Sequence, residues 1–123
     1  MFIKYIMKQI LLLAVVLILI DAIYLKLIAN YFNNQVSIIK NNKLTLDYLG
    51  AILCYLFLVF GLYYFIIREN KSILDAFILG LVIYMVYELT NKAIFKNWSW
   101  TTVLLDGVWG GVLFALSTYI LKK

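Results

Sequence analysis

The sequence contains no histidine, no proline, a single cysteine and a single arginine. Without histidine there can be no Ser-His-Asp triad, no Cys-His pair and no histidine-ligated zinc, and Cys54 alone can form neither an internal disulfide nor a thiolate metal site. A glycine-rich phosphate-binding loop is also missing. These absences exclude most recognisable catalytic centres, and we expect neither a metal site nor a cofactor.

Charged residues are also scarce, at 14% of the chain, whereas 66% of the residues are hydrophobic and the mean hydropathy is +0.98. Soluble proteins are about half apolar, so this composition predicts an integral membrane protein. The net charge of +5 would favour nucleic-acid binding in a soluble domain. Here the lysines flank apolar segments, which is typical of anchors at lipid headgroups, so we expect membrane lipids as partners and no nucleic acid.

Four apolar segments predict an all-α fold, a four-helix transmembrane bundle with short loops. A crossing needs about 20 residues, so the 123 residues form a single membrane domain. The approximate spans are residues 5–29, 47–67, 73–94 and 101–121. Ser72, with Asp75 three residues later, has the spacing of a helix cap and predicts that the third helix begins there. The polar first loop, residues 30–46, is either a loop or a short interfacial helix.

Basic residues do not fix the orientation, because six flank one side of the predicted bundle and five flank the other. We expect both termini in the cytoplasm and the protein in the plasma or inner membrane. Insertion in both orientations is the alternative. Lys4 and Lys8 before the first apolar run also fit a signal peptide, but no small-residue cleavage site follows and the apolar character resumes after Asp21.

Three acidic residues interrupt the apolar spans at similar depths. Asp21, Glu88 and Asp106 each lie about 7 to 12 Å from the same membrane face, counted at 1.5 Å per helical residue. Residues one helical turn away share their faces and add hydroxyl, amide and indole groups. The resulting candidates for ligand or ion binding are Asp21, Tyr24, Tyr84, Glu88, Asn91, Thr102, Asp106 and Trp109. Tyr87, beside Glu88, is a further candidate that rests on a sequence motif and not on this spacing.

The acids have a structural and a functional interpretation, and the sequence leaves both open. Lys26 lies near Asp21, and Lys92 follows Glu88 by one turn, so the acids could hold helices together through ion pairs and hydrogen bonds. In the functional interpretation they line a binding site, because ionisable residues inside a membrane are costly and usually serve a site.

Small residues on the fourth helix form a second pattern, a stripe that allows close helix approach, made of Gly107, Gly110, Gly111 and Ala115. Packing within the chain is the expected use of this stripe, and a homodimer seam is the alternative. Trp98 and Trp100 are expected in the aromatic belt at the membrane interface.

Three stretches of the sequence resemble one family of short membrane proteins. "DAIYL", "YELTN" and "DGVWG" begin at Asp21, Tyr87 and Asp106. They are similar to motifs of domain-of-unknown-function family 2177, whose members have four helices, and the similarity spans nearly the whole chain. The family pattern has aspartate where this chain has Glu88, so the longer side chain speaks against a strict metal geometry there. The residues carried over are Asp21, Tyr24, Leu25, Tyr87, Glu88, Leu89, Thr90, Asn91, Asp106, Trp109 and Gly110.

The resemblance implies a fold and a motif set but no activity, so three classes of function stay open. The acids could bind or translocate a proton, a cation or a small solute, as in very small transporters that work as dimers. The protein could instead be an enzyme, or an accessory subunit, in lipid or fatty-acid modification, with a carboxylate as acid or base. A structural or assembly subunit is the third class. We favour the first, because no recognisable nucleophile or cofactor motif accompanies the acids.

Overall fold

The computed structural model of the chain describes residues 2–40 and 48–122, and for residues 29–40 it describes the backbone alone. Nearly all of these residues are helical, and no strand occurs among them. The elements are α1 (Phe2–Lys40), α2 (Tyr48–Leu62), a π-helical turn (Tyr63–Ile67) that extends α2, α3 (Ile73–Ile94) and α4 (Trp100–Lys122). The predicted all-α architecture is therefore confirmed.

Each helix contains a segment that is long and apolar enough to cross a membrane. These segments are Phe2–Ile28, Tyr48–Ile67, Ile73–Ile94 and Trp100–Lys122. The predicted first loop begins at residue 30, but α1 continues as one helix to Lys40. Residues 30–40 are therefore neither a loop nor a separate short helix but the continuation of α1, and the rest of that predicted loop lies outside the described residues.

The turn between α2 and α3 is held by hydrogen bonds between residues that are close in the sequence. Ser72 caps α3, because its side chain accepts a hydrogen bond from the backbone N–H of Asp75 at 3.0 Å. This confirms the predicted helix start. At the end of the π-helical turn, Asn70 adopts a positive φ of 53°, which asparagine tolerates better than most residues. The N–H of Lys71 then donates to the carbonyl of Ile66 at 2.9 Å and closes the turn.

The closest packing joins α3 and α4, because glycines let the two backbones approach. A Cβ atom added at Gly80 would lie 2.8 Å from the carbonyl carbon of Gly110, and one added at Gly111 would lie 2.8 Å from the Phe77 ring. A Cβ atom at Gly107 would overlap Met85. Three members of the small-residue stripe, Gly107, Gly110 and Gly111, therefore face α3 of the same chain.

The apolar core lies on the side of the bundle toward the N-terminal half of α1 and the C-terminal half of α4. Its fully buried members are Leu13, Leu17, Leu62, Ala76, Leu113 and Phe114. Most other large apolar side chains point outward, as expected for helices that face lipid. Cys54, whose small side chain suits packing, is exposed on α2 instead.

Candidate functional site

The three intramembrane acids lie at one level of the bundle, on α1, α3 and α4. Asp21, Glu88 and Asp106 are each six or seven residues from the end of their span on the same side. At 1.5 Å per residue this places them about 9 to 11 Å below that membrane face. Asp21 and Glu88 are buried, and Asp106 is half-buried. We call these three residues the carboxylate layer.

Two reciprocal hydrogen bonds cross-link α1 and α4 at this level. The Tyr24 hydroxyl donates to Oδ1 of Asp106 at 3.2 Å. In return, the Trp109 indole N–H donates to Oδ1 of Asp21 at 2.9 Å. The two rings stack with centroids 4.3 Å apart and planes within 6° of parallel. Because donor and acceptor are three residues apart on each antiparallel helix, one register satisfies both bonds at once.

The second oxygen of Asp21 is bonded from α2, by a residue that the sequence analysis did not predict. Tyr55 donates its hydroxyl to Oδ2 of Asp21. A depth count could have found it, because Tyr55 lies seven residues after the start of α2, at about the same level as Asp21. Both oxygens of this buried carboxylate are therefore bonded to neutral donors.

Glu88 has a different environment, at the interface of α3 with the α3–α4 connection. Its side chain is fully buried, and Oε1 accepts a hydrogen bond from the indole N–H of Trp98 at 2.8 Å. Oε2 is buried and has no hydrogen-bond partner among the described residues. Asp106 is the acidic neighbour of Glu88, and the two carboxyl groups can share a hydrogen bond only when one of them is protonated. Glu88 is thus a buried carboxyl with one oxygen unsatisfied and another carboxyl nearby.

Two tyrosines connect the members of the carboxylate layer. The Tyr24 hydroxyl donates a hydrogen bond to Asp106. It is also close enough to Asp21 and Glu88 to interact with their charges. The Tyr84 phenol lies within electrostatic range of Asp21 and Asp106, and its ring fills the space beside Gly110. The layer is therefore one cluster of acids and phenols rather than three separate groups.

Lysines do not neutralise this layer, contrary to the ion-pair interpretation. The described residues contain one salt bridge, between Arg68 and Glu69 at 3.0 Å in the α2–α3 turn. Lys92 donates to the carbonyl of Lys96 at 3.2 Å and lies over the Trp100 ring at 5.5 Å. Lys26 is exposed. The described donors to the layer are phenols and indoles, which supply hydrogen bonds but no charge.

The remaining predicted site residues divide between the layer and its surroundings. Thr102 is buried, and its hydroxyl lies 2.8 Å from that of Ser99, at the start of α4. Asn91 is partly buried and makes no described side-chain bond to the acids. Tyr87 is 54% exposed on the outer face of α3, so the structure does not bring it to the layer.

The two tryptophans near α4 have different environments, and the prediction for one of them is wrong. Trp100 is 59% exposed, as expected for the interfacial belt. Trp98 is only 3% exposed, because its indole turns inward to Glu88. The spacing of the two residues did not indicate this difference, since Trp98 lies in the non-helical connection and Trp100 begins α4 only two residues later.

The donor set determines what the layer can do chemically. Among the residues that the structure describes, no three acidic, cysteine or histidine side chains are grouped to hold a metal ion. The hydroxyl groups bonded to the acids are the phenols of Tyr24 and Tyr55. Neutral donors do not cancel the negative charge of a carboxylate. Carboxyl groups in such surroundings can bind a proton or a cation, which neutralises that charge.

Comparison with known proteins yields one match. The model of a family described as "Predicted membrane protein (DUF2177)" matches residues 6–121. No curated protein and no solved structure matches the chain.

Proposed function

The chain belongs to the DUF2177 family of predicted membrane proteins, and we propose that its carboxylate layer binds a proton or a small cation and carries it across the membrane. One observation carries this proposal. Glu88 is fully buried within a membrane span, one of its oxygens has no described hydrogen-bond partner, and a second carboxyl lies nearby. A proton or a cation at this position would satisfy the free oxygen.

The charge of the layer supports the same conclusion. An ionised carboxylate in an apolar environment costs several kcal/mol unless it is paired. The layer has three carboxyl groups, and no described salt bridge involves any of them. Repulsion between neighbouring carboxylates adds to this cost, as in enzymes whose paired aspartates share a proton. Binding a positive charge removes both penalties.

The three acids have different roles in this proposal. Both oxygens of Asp21 already accept hydrogen bonds, so Asp21 is a fixed acceptor that orients Tyr55 and Trp109. Glu88 and Asp106 form the exchange pair, in which one proton is shared or is replaced by a cation. Tyr24 links the two parts, because a phenol can accept a proton on its oxygen while it donates its own to Asp106.

Flux measurements in liposomes test the proposal. Purified protein is reconstituted with a pH-sensitive dye inside, and a potassium diffusion potential drives cation entry. We expect wild-type protein to support proton uptake, or proton exchange against one member of a panel of small cations. Glu88→Gln and Asp106→Asn preserve shape but remove the exchangeable proton, so both should lose the flux. Glu69→Gln is the matched control, because Glu69 lies in the α2–α3 turn, outside the layer.

Equal flux from wild-type protein, Glu88→Gln and empty liposomes across the cation panel would contradict the proposal. A deletion strain with altered membrane lipids, together with an absence of flux in liposomes, would favour the enzymatic alternative.

A further inference from the structure

Glu88 lies close to one membrane face, and the side chain between it and the loop on that face is Trp98. The α3–α4 connection, residues 95–99, is non-helical and forms that loop. Trp98 projects from it into the bundle, is 3% exposed, and reaches Oε1 of Glu88 at 2.8 Å. A path from water at this face to Glu88 therefore meets the indole of Trp98.

The path from the opposite face is longer, and it passes buried leucines together with the buried hydroxyl side chains of Ser117 and Thr118 on α4. Leu17 and Leu13 follow one and two turns beyond Asp21 on α1, and Leu113 lies two turns beyond Asp106 on α4. All three leucines are fully buried. Two turns correspond to about 11 Å, so the face that carries the α3–α4 connection is the nearer one to the carboxylate layer.

We infer that Trp98 is the gate through which the carboxylate layer exchanges with water, on the membrane side of the α3–α4 connection. The inference rests on the proposed function, because a gate is needed only if the layer exchanges protons or cations with water. The position of Trp98 over Glu88 is independent of that function. With the gate closed, the indole covers Glu88 and donates to it. An outward movement of the connection would withdraw the indole and open Glu88 to water.

The described backbone bonds of the connection run to the adjoining helix ends, where Ser99 caps α4 by accepting from the N–H groups of Thr102 and Val103. Phe95 caps the end of α3 through its N–H to Asn91, and the N–H of Trp98 donates to the carbonyl of Phe95 at 3.1 Å. The helical bonds of α3 and α4 begin on either side of this segment. A hinge in a few residues between helices is a common way to open a site.

Trp100 is a natural control for Trp98, because it has the same side chain but does not cover Glu88. It lies two residues further on and contributes an indole of the same size, but it is 59% exposed and lies over Lys92 at the surface. Loss of the Trp100 ring would leave the cover on Glu88 intact, whereas loss of the Trp98 ring would remove that cover.

Chemical modification tests the gate without any transport measurement. Protein in detergent micelles, which leave both faces accessible, is treated with a water-soluble carbodiimide and an amine, and mass spectrometry measures the adduct at each carboxyl. If the open state makes up no more than about 10% of wild-type protein, Glu88 is accessible for at most that fraction of the time. In Trp98→Ala, Glu88 has no cover, so it should be labelled at least about tenfold faster. Trp100→Ala should leave the rate unchanged. Exposed Glu69 provides the internal reference in every sample.

Further readouts separate gating from unfolding and from the proposed function. Trp98→Phe retains most of the bulk but lacks the N–H, so it should label at an intermediate rate. If Trp98→Ala were unfolded, its circular dichroism would lose the helical signal, and Trp98→Phe would then decide the inference, because a wild-type labelling rate in that variant would overturn it. Unchanged labelling of Glu88 in Trp98→Ala would overturn it as well. Faster labelling in Trp98→Ala, with no flux in liposomes, would leave the gate in place and contradict only the proposed function.

Discussion

Tyr24 and Trp109 stack face to face with centroids 4.3 Å apart, and each donates a hydrogen bond to the aspartate one turn along the other's helix. The pair therefore fixes the register of α1 against α4 and holds both aspartates at one depth. Stacked aromatic pairs contribute about 0.5 to 1.5 kcal/mol beyond their burial. The layer depends on this contact for its geometry.

Tyr55→Phe should lower the free energy of unfolding by about 1 to 3 kcal/mol, because it leaves an oxygen of buried Asp21 without its donor. Tyr87→Phe is the matched control, since Tyr87 is exposed on α3 and should change stability by no more than about 0.5 kcal/mol. Denaturant unfolding in detergent, followed by circular dichroism, measures both. Equal stability of the two variants would show that the Tyr55 bond is not formed in the membrane protein.

Trp109→Phe should also be destabilising, by about 1 to 3 kcal/mol, because the smaller ring retains part of the stack but cannot donate to Asp21. Trp100→Phe serves as the control at an exposed position. Combining Trp109→Phe with Asp21→Asn gives a double-mutant cycle. Additive effects would contradict a direct interaction between Trp109 and Asp21.

Gly80→Ala should destabilise the bundle by about 1 to 3 kcal/mol, because the new methyl group would meet the backbone of Gly110, which cannot move aside as a side chain could. Gly61→Ala is the matched control on α2, where a Cβ atom meets nothing within 4 Å. The same unfolding assay compares them. If Gly80→Ala were as stable as Gly61→Ala, the close approach of α3 and α4 would be wrong.

Four spans place the α2–α3 turn and the α3–α4 connection on opposite membrane faces. With Cys54 replaced, single cysteines at Glu69 and Asn97, both exposed, should react with an impermeant thiol reagent from opposite sides. We expect Glu69→Cys to face the cytoplasm. Labelling of both sites from one side would contradict four spans, and labelling of each from both sides would indicate insertion in two orientations.

The fold could be predicted because it depends on strong, one-dimensional signals. Apolar runs of the length of a membrane crossing leave helices as the main solution, and Ser72 has a side chain that caps a helix whatever its tertiary context. The glycine stripe also has a direct structural consequence, since Gly107, Gly110 and Gly111 leave room for side chains of α3. Depth counting likewise brought the three acids to one level.

The partners of those acids could not be predicted, because they depend on rotation about helix axes and on loop geometry. Tyr55 is one of two tyrosines in α2, and only the packing of α2 against α1 selects it. Lys92 has the ideal spacing to pair with Glu88, but its ammonium group stays at the surface with Trp100. Trp98 lies in a non-helical connection, so no periodicity indicates that its indole turns inward.

The infrared carboxyl spectrum of the reconstituted protein tests the central claim most directly, namely that Glu88 and Asp106 hold an exchangeable proton. The spectrum is recorded while the pH is raised from about 5 to about 8, a range in which no histidine can contribute because the chain has none. We predict a protonated-carboxyl band that declines with rising pH in wild-type protein and in Glu69→Gln, and that is absent from Glu88→Gln. Carboxyl groups that are ionised throughout this range, with identical spectra for wild-type protein and Glu88→Gln, would contradict the claim.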